Sequence, residues 1–100
     1  MRKINPVTIL NDATYATPLG FEEVSDLSTV SSLTPPTGSQ TALIQAEGED
    51  VRWKGDGSDP TGTEGMLLLS GESIRYSGDL GALRFIEATA GASLNVSYYG

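Results

Sequence analysis

From Ala42 onward, apolar residues recur at every second position in short runs. Ala42, Ile44 and Ala46 alternate with Leu43, Gln45 and Glu47. Val51 and Trp53 alternate with Arg52 and Lys54, and Ile74 and Tyr76 with Ser73 and Arg75. Leu83 and Phe85 alternate with Arg84 and Ile86, and Leu94, Val96 and Tyr98 with Asn95, Ser97 and Tyr99. A strand turns successive side chains to opposite faces, so a period of two predicts strands with one buried face. Met66–Leu69 adds a short apolar run. Turn-forming clusters separate the runs: Glu47-Gly48-Glu49, Gly55–Gly65, Ser70-Gly71, Ser77-Gly78-Asp79 and Ala90-Gly91. Short strands divided this way predict an all-β fold, a small β-sandwich or jelly-roll-like domain. The expected core is Ile44, Val51, Trp53, Leu67, Leu69, Ile74, Tyr76, Leu83, Phe85, Leu94, Val96 and Tyr98.

Residues 1–40 have a different texture, rich in Thr, Ser and Pro with weak periodicity. Ile4, Val7 and Ile9 make Lys3–Leu10 a possible strand, and Asn11-Asp12 a turn. Val24, Leu27, Val30 and Leu33 recur every third residue, which suits a helical turn as well as a strand. The serines among them favour strand or irregular chain. Thr34-Pro35-Pro36-Thr37-Gly38 is a firm break, because proline fixes φ and removes a donor. The contrast divides the chain into an extended N-terminal arm with edge strand or strands, 1–40, and a compact β-sandwich domain, 41–100.

Charge and missing residue types narrow the chemistry. The chain has 100 residues, enough for one domain with a modest core. It contains no cysteine and no histidine. Disulfides, thiolate chemistry, His-based metal sites and Ser-His-Asp triads are therefore excluded within one chain. Six Lys+Arg against thirteen Asp+Glu give a net charge of −7. Nucleic acid and anionic membranes should repel such a surface. No apolar run approaches the roughly 20 residues of a membrane-spanning helix. Asn5, Pro6 and Thr8 interrupt the apolar character of MRKINPVTIL, so no signal peptide is expected.

Four local features are candidates for chemistry. Asp56 and Asp59, in the loop Gly55–Gly65, do not have the alternate-position oxygen ligands of a calcium loop. The loop also lacks the Gly-Lys-Ser/Thr of a phosphate cradle, so a long hairpin connection is expected. Glu47, Glu49 and Asp50 cluster in a turn, where a solvated role is expected over acid–base catalysis. Trp53 shares a face with Val51 and is expected in the core or at an interface. Tyr98 is expected inside and Tyr99 outside, where an exposed tyrosine suits an interface. Arg52, Lys54, Arg75 and Arg84 all oppose core positions and would line one outer face if their strands share a sheet.

Residues 42–99 resemble small virion-associated proteins of tailed bacteriophages. The resemblance lies in Ala42–Gly48 (ALIQAEG), Val51–Trp53 with Gly55-Asp56-Gly57 and Pro60-Thr61, Gly65-Met66-Leu67, and Leu94–Tyr99. The rhythm of Gly65, Leu69 and Gly71-Glu72 is also similar to cupin-type barrels, but their histidine metal ligands are absent. With no His, no Cys and no paired carboxylates, neither catalysis nor a cofactor is expected. The phage resemblance implies a compact β-sandwich or jelly roll used in particle assembly. Its expected place is the outer surface of the virion after synthesis in the host cytoplasm. It would act there as a capsid decoration protein bridging major capsid subunits, with several copies associating on the particle. A tail, fibre-base or neck component is the second expectation, and a carbohydrate-binding module using Trp53 or Tyr99 the third. The expected interface comprises Ile4, Val7 and Ile9 from the arm, Arg52, Arg75 and Arg84 from the sheet face, and Tyr99. Nucleic acid, membrane and small-molecule substrates are not expected partners.

Overall fold

The computed structural model describes residues 17–100. The expected strand Lys3–Leu10, with Ile4, Val7 and Ile9, lies outside them. Among the described residues, seven strands form two antiparallel sheets. They are β1 (Pro18–Val24), β2 (Thr41–Glu47), β3 (Val51–Lys54), β4 (Met66–Leu68), β5 (Ser73–Ser77), β6 (Arg84–Glu87) and β7 (Ser93–Tyr99). One sheet has the order β1-β7-β2-β5 and the other β4-β3-β6. The fold is all-β and sandwich-like, as the period of two predicts.

The core forms where the inward positions of the two sheets meet. Ala42, Ile44 and Ala46 of β2 and Leu94, Val96 and Tyr98 of β7 are buried. Opposite them lie Val51, Leu68 and Phe85, with Leu80 and Leu83 on the approach to β6. Trp53 and Tyr76 are half-buried and link the sheets, their rings edge-to-face at 5.9 Å and 80°. Such a pair contributes about 0.5–1.5 kcal/mol beyond its buried area.

The expected core needs one correction. Leu67 and Leu69 are 46% and 44% exposed, whereas Leu68 between them is 2% exposed. Three consecutive leucines carry no phase of their own. The phase comes from register: Leu68 lies opposite buried Val51, and a shift of one residue turns every side chain to the other face.

The chain before residue 40 belongs to the sandwich from β1 onward. β1 is an edge strand, paired with β7 from Pro18↔Tyr99 to Val24↔Leu94. Leu27 and Leu33 are core residues. The segment after β1 also covers the free edge of β6. Glu87 N donates to Leu27 O at 2.9 Å, and Ser31 and Phe85 exchange backbone bonds of 2.8 and 2.9 Å. The boundary expected at residue 40 therefore cuts through the core. The Pro35-Pro36 break does hold, since no strand crosses it.

The turn from β2 to β3 depends on Gly48. Its φ is +88°, and a Cβ there would stand 2.5 Å from the Gly91 carbonyl oxygen. Only glycine admits both the conformation and the close approach.

The register of β4 gives a direct test. Leu68→Ala should cost about 2–4 kcal/mol by chemical denaturation, because it empties a closed core position. Leu67→Ala should stay within about 0.5 kcal/mol of the parent. Equal losses at the two positions would show that β4 pairs in another register.

Candidate functional site

The polar constellation with the most internal bonds is built on Glu22 of β1. Its register partner is Val96, so Glu22 occupies an inward position at the sheet edge. The Tyr98 hydroxyl donates to Glu22 Oε1. The Thr34 backbone N–H donates to the same oxygen at 3.0 Å, and the Thr34 hydroxyl to Oε2 at 2.8 Å. Burial pushes the Glu22 carboxyl up, but the bonds from Tyr98 and Thr34 outweigh this and hold it below its ordinary value. Burial, then the bond to Glu22 and its charge, push the Tyr98 phenol well above the usual tyrosine range. All the donors that reach the carboxylate come from the chain itself. The group fastens the segment after β1 to the last strand, a structural role.

The other acidic features serve turns. Asp56 Oδ1 accepts from the Ser58 hydroxyl and from its backbone N–H at 3.0 Å, and these bonds lower its pKa. Thr61 and Glu64 exchange backbone bonds, and Gly57 N donates to Ala82 O at 3.0 Å. Pro60 is buried. The Gly55–Gly65 segment joins the antiparallel neighbours β3 and β4, so it is the connection of a long hairpin. Asp50 accepts from the Ser70 backbone at 2.8 Å, and Glu47 from Asn95 at 2.8 Å. Among the described residues, no group of three or more acidic side chains is placed to hold a metal ion.

The expected cationic face is real but smaller than anticipated. Arg52, Lys54, Arg75 and Arg84 are the four Lys/Arg side chains among the described residues. Arg52, Lys54 and Arg84 share the outer face of the three-stranded sheet, because Val51 and Phe85 beside them point inward. Arg75 does not join them. It lies on β5, in the four-stranded sheet, because alternation assigns a face but not a sheet. Register places Arg52 between Leu67 and Ile86, and Lys54 opposite Arg84. Leu69 continues the outward phase of Leu67 just past the end of β4. This face therefore mixes three apolar and three cationic side chains.

Arg52 is held in place. Its Nη1 donates to Gly65 O at 3.0 Å, while its Nε is buried with no hydrogen-bond partner. A buried guanidinium N–H without an acceptor is costly. Arg84 Nη1 donates to Gly81 O at 2.7 Å and Leu83 O at 2.9 Å. Lys54 Nζ lies 3.6 Å from a Glu64 carboxylate oxygen. β4 is also a sheet edge with no strand neighbour on its outer side among the described residues. Met66, 61% exposed at the start of β4, turns to the opposite side of the strand from Leu67.

The two aromatic candidates prove partly engaged. Trp53 packs against Tyr76, and Tyr99 is half-buried beside Pro18 and Thr41, with its hydroxyl accepting from Ser97 at 3.3 Å. Among the described residues the exposed aromatic is instead Phe21, on the outer face of β1. Sequence reasoning missed it because β1 carries no alternation that marks Phe21 as outward. Comparison with protein families, curated proteins and solved structures finds no match to this chain.

The Glu22 bonds link stability to pH with a definite sign. A carboxylate held below its ordinary pKa stabilises the fold above its unfolded value, and the contribution fades as pH falls through the folded value. Glu22→Gln should therefore make the acid limb of the stability–pH curve shallower than in the parent, while Asp26 and Asp56 retain theirs. Guanidinium denaturation at stepped pH reads the difference. Parallel acid limbs would show that Glu22 is not a stabilising acceptor.

Proposed function

We propose that the protein is a structural subunit of a tailed-bacteriophage particle, a capsid decoration protein, and that it works without catalysis or cofactor. The observation that carries this reading is the outer face of the three-stranded sheet with its open β4 edge. Leu67, Leu69 and Ile86 lie there beside Arg52, Lys54 and Arg84, and Arg52 is held at the centre by its bond to the Gly65 carbonyl. Apolar area with arginine at its centre is the composition of a protein interface. An open edge strand adds backbone groups that can pair with an extended segment of a partner.

In this reading the face docks on the major capsid protein, and the rest of the acidic domain points outward from the shell. A net charge of −7 suits the outside of a particle better than contact with packaged DNA. Each contact can be weak, because many copies engage a repeating lattice together. The resemblance of residues 42–99 to virion-associated proteins supports the same conclusion. A tail or neck position uses the same face and differs in copy number.

Quantitative mass spectrometry of purified particles of the encoding phage decides between them. Decoration predicts one copy per capsid subunit, or per few subunits, whereas a neck or tail role predicts a low fixed number. Absence from the particle would overturn the assembly reading. Leu67→Asp should abolish incorporation while leaving the melting temperature of the isolated chain unchanged. Incorporation at the parent level would move the docking surface elsewhere.

A further inference from the structure

The outer face of the four-stranded sheet holds a second feature, on the side of the sandwich opposite the docking face. Two register rows cross it. One runs Phe21–Ser97–Leu43–Arg75, and the next Glu23–Asn95–Gln45–Ser73. Between them lies a shallow concavity of about 210 Å³, lined by Phe21, Leu43, Gln45, Ser73, Asn95 and Ser97.

β1 fills its positions against the usual preference. It turns a carboxylate, Glu22, inward and a phenyl ring, Phe21, outward, where the ring is 66% exposed. The inward carboxylate is accounted for by Tyr98 and Thr34. The ring stays largely exposed, and its neighbours across the sheet are the Ser97 hydroxyl, the half-exposed Leu43 and the Asn95 and Gln45 amides.

The amides are arranged but not exhausted. Asn95 Nδ2 donates to Gln45 Oε1 at 3.3 Å and to Glu47 Oε1 at 2.8 Å. These bonds fix both side chains and leave Asn95 Oδ1 and Gln45 Nε2 without partners among the described residues. One acceptor and one donor thus stand beside an aromatic face, with Ser73 and Ser97 also lining the concavity.

We propose that this concavity is a binding site for a neutral pyranose unit of a glycan. One face of a pyranose presents C–H bonds, which lie favourably on the negative face of an aromatic ring. Its hydroxyls need donor and acceptor in pairs, which amides supply. Glu23 and Glu47 flank the amides, while Arg75, at the far end of the Phe21 row, does not line the concavity, so an anionic sugar is disfavoured. The volume is below the roughly 300–1,000 Å³ of sites that enclose a drug-sized ligand, so the site takes one ring and binds weakly. The proposal is independent of the particle-assembly reading, and its test needs no particle.

The test is a two-dimensional NMR titration of the full chain with the methyl glycosides of glucose, galactose, mannose and N-acetylglucosamine, with glucuronate as the anionic control. At least one neutral glycoside should shift the amides of Phe21, Leu43, Gln45, Asn95 and Ser97, saturating in the millimolar range. Glucuronate should bind several-fold more weakly. Phe21→Ala should weaken binding about tenfold, and Phe21→Trp should retain it. Gln45→Ala, at an exposed position, gives a second reading if Phe21→Ala impairs folding. Absence of saturable shifts with all four glycosides overturns the proposal. So do shifts that survive both alanine substitutions, or glucuronate binding as tight as the neutral sugars. Shifts at the same amides that depend on protein concentration alone also overturn it, since they would make the face a contact between copies.

Discussion

The pairing of β7 between β1 and β2 is the constraint on which the rest depends. The last strand in the chain is an interior strand of the larger sheet, bonded on one side to the first described strand and on the other to the second. Leu94, Val96 and Tyr98 thereby form the centre of the inward face, flanked by Ala42, Ile44 and Ala46. Small alanines beside the larger residues of β7 let the facing sheet approach, and Phe85 and Val51 fill the space opposite. The connection between β2 and β7 spans both the smaller sheet and β5. Closing a loop of that length costs entropy before any contact repays it. The larger sheet can be completed only when the C-terminal strand is in place.

Glu22 shows how that pairing is secured at the sheet edge. A carboxylate at an inward position would ordinarily be expensive. Here Tyr98, the inward residue nearest the end of β7, donates its hydroxyl to it, and Thr34 donates twice. The bonds bind the chain on both sides of the Pro35-Pro36 break to one carboxylate and to the central strand. They also hold the segment that carries Leu27 and Leu33 against the open side of β6. Edge β1 and edge β6 are therefore tied together by one polar anchor and two leucines.

The same anchor explains which parts of the fold were legible in the sequence. β2, β3, β5, β6 and β7 alternate cleanly, so their strands and faces could be read from residue type alone. β1 could not be, because its inward positions include Gly20 and Glu22 and its outward position Phe21, which inverts the usual pattern. β4 was visible as a run, but its phase was not, since Leu67, Leu68 and Leu69 are chemically identical and only the pairing with Val51 distinguishes them. Of the candidate site, the outward arginines were readable by alternation. Their partition between sheets was not, because sheet membership is a long-range property. Arg75 fell into the larger sheet for that reason, and Leu67 and Leu69 joined the cationic face instead of the core.

The two outer faces differ as consequences of this topology. The three-stranded sheet is narrow, so its outward residues lie near an edge, and β4 leaves backbone, leucine side chains and an arginine within reach of a partner. The four-stranded sheet is wider, and its central strands β7 and β2 turn Asn95, Ser97, Leu43 and Gln45 outward, with Phe21 on edge strand β1 at one side of them. A surface with an open edge favours recognition of extended chain, where backbone pairing supplies the energy and side chains the register. A shallow surface over strands paired on both sides offers no free backbone groups, and can recognise a ligand only through side chains. The division follows from sheet width and strand order before any particular residue is considered. The residue choices agree with it: Leu67, Leu69 and Arg52 lie beside the open edge of β4 on one face, and Phe21 and Leu43 lie with the amides on the other.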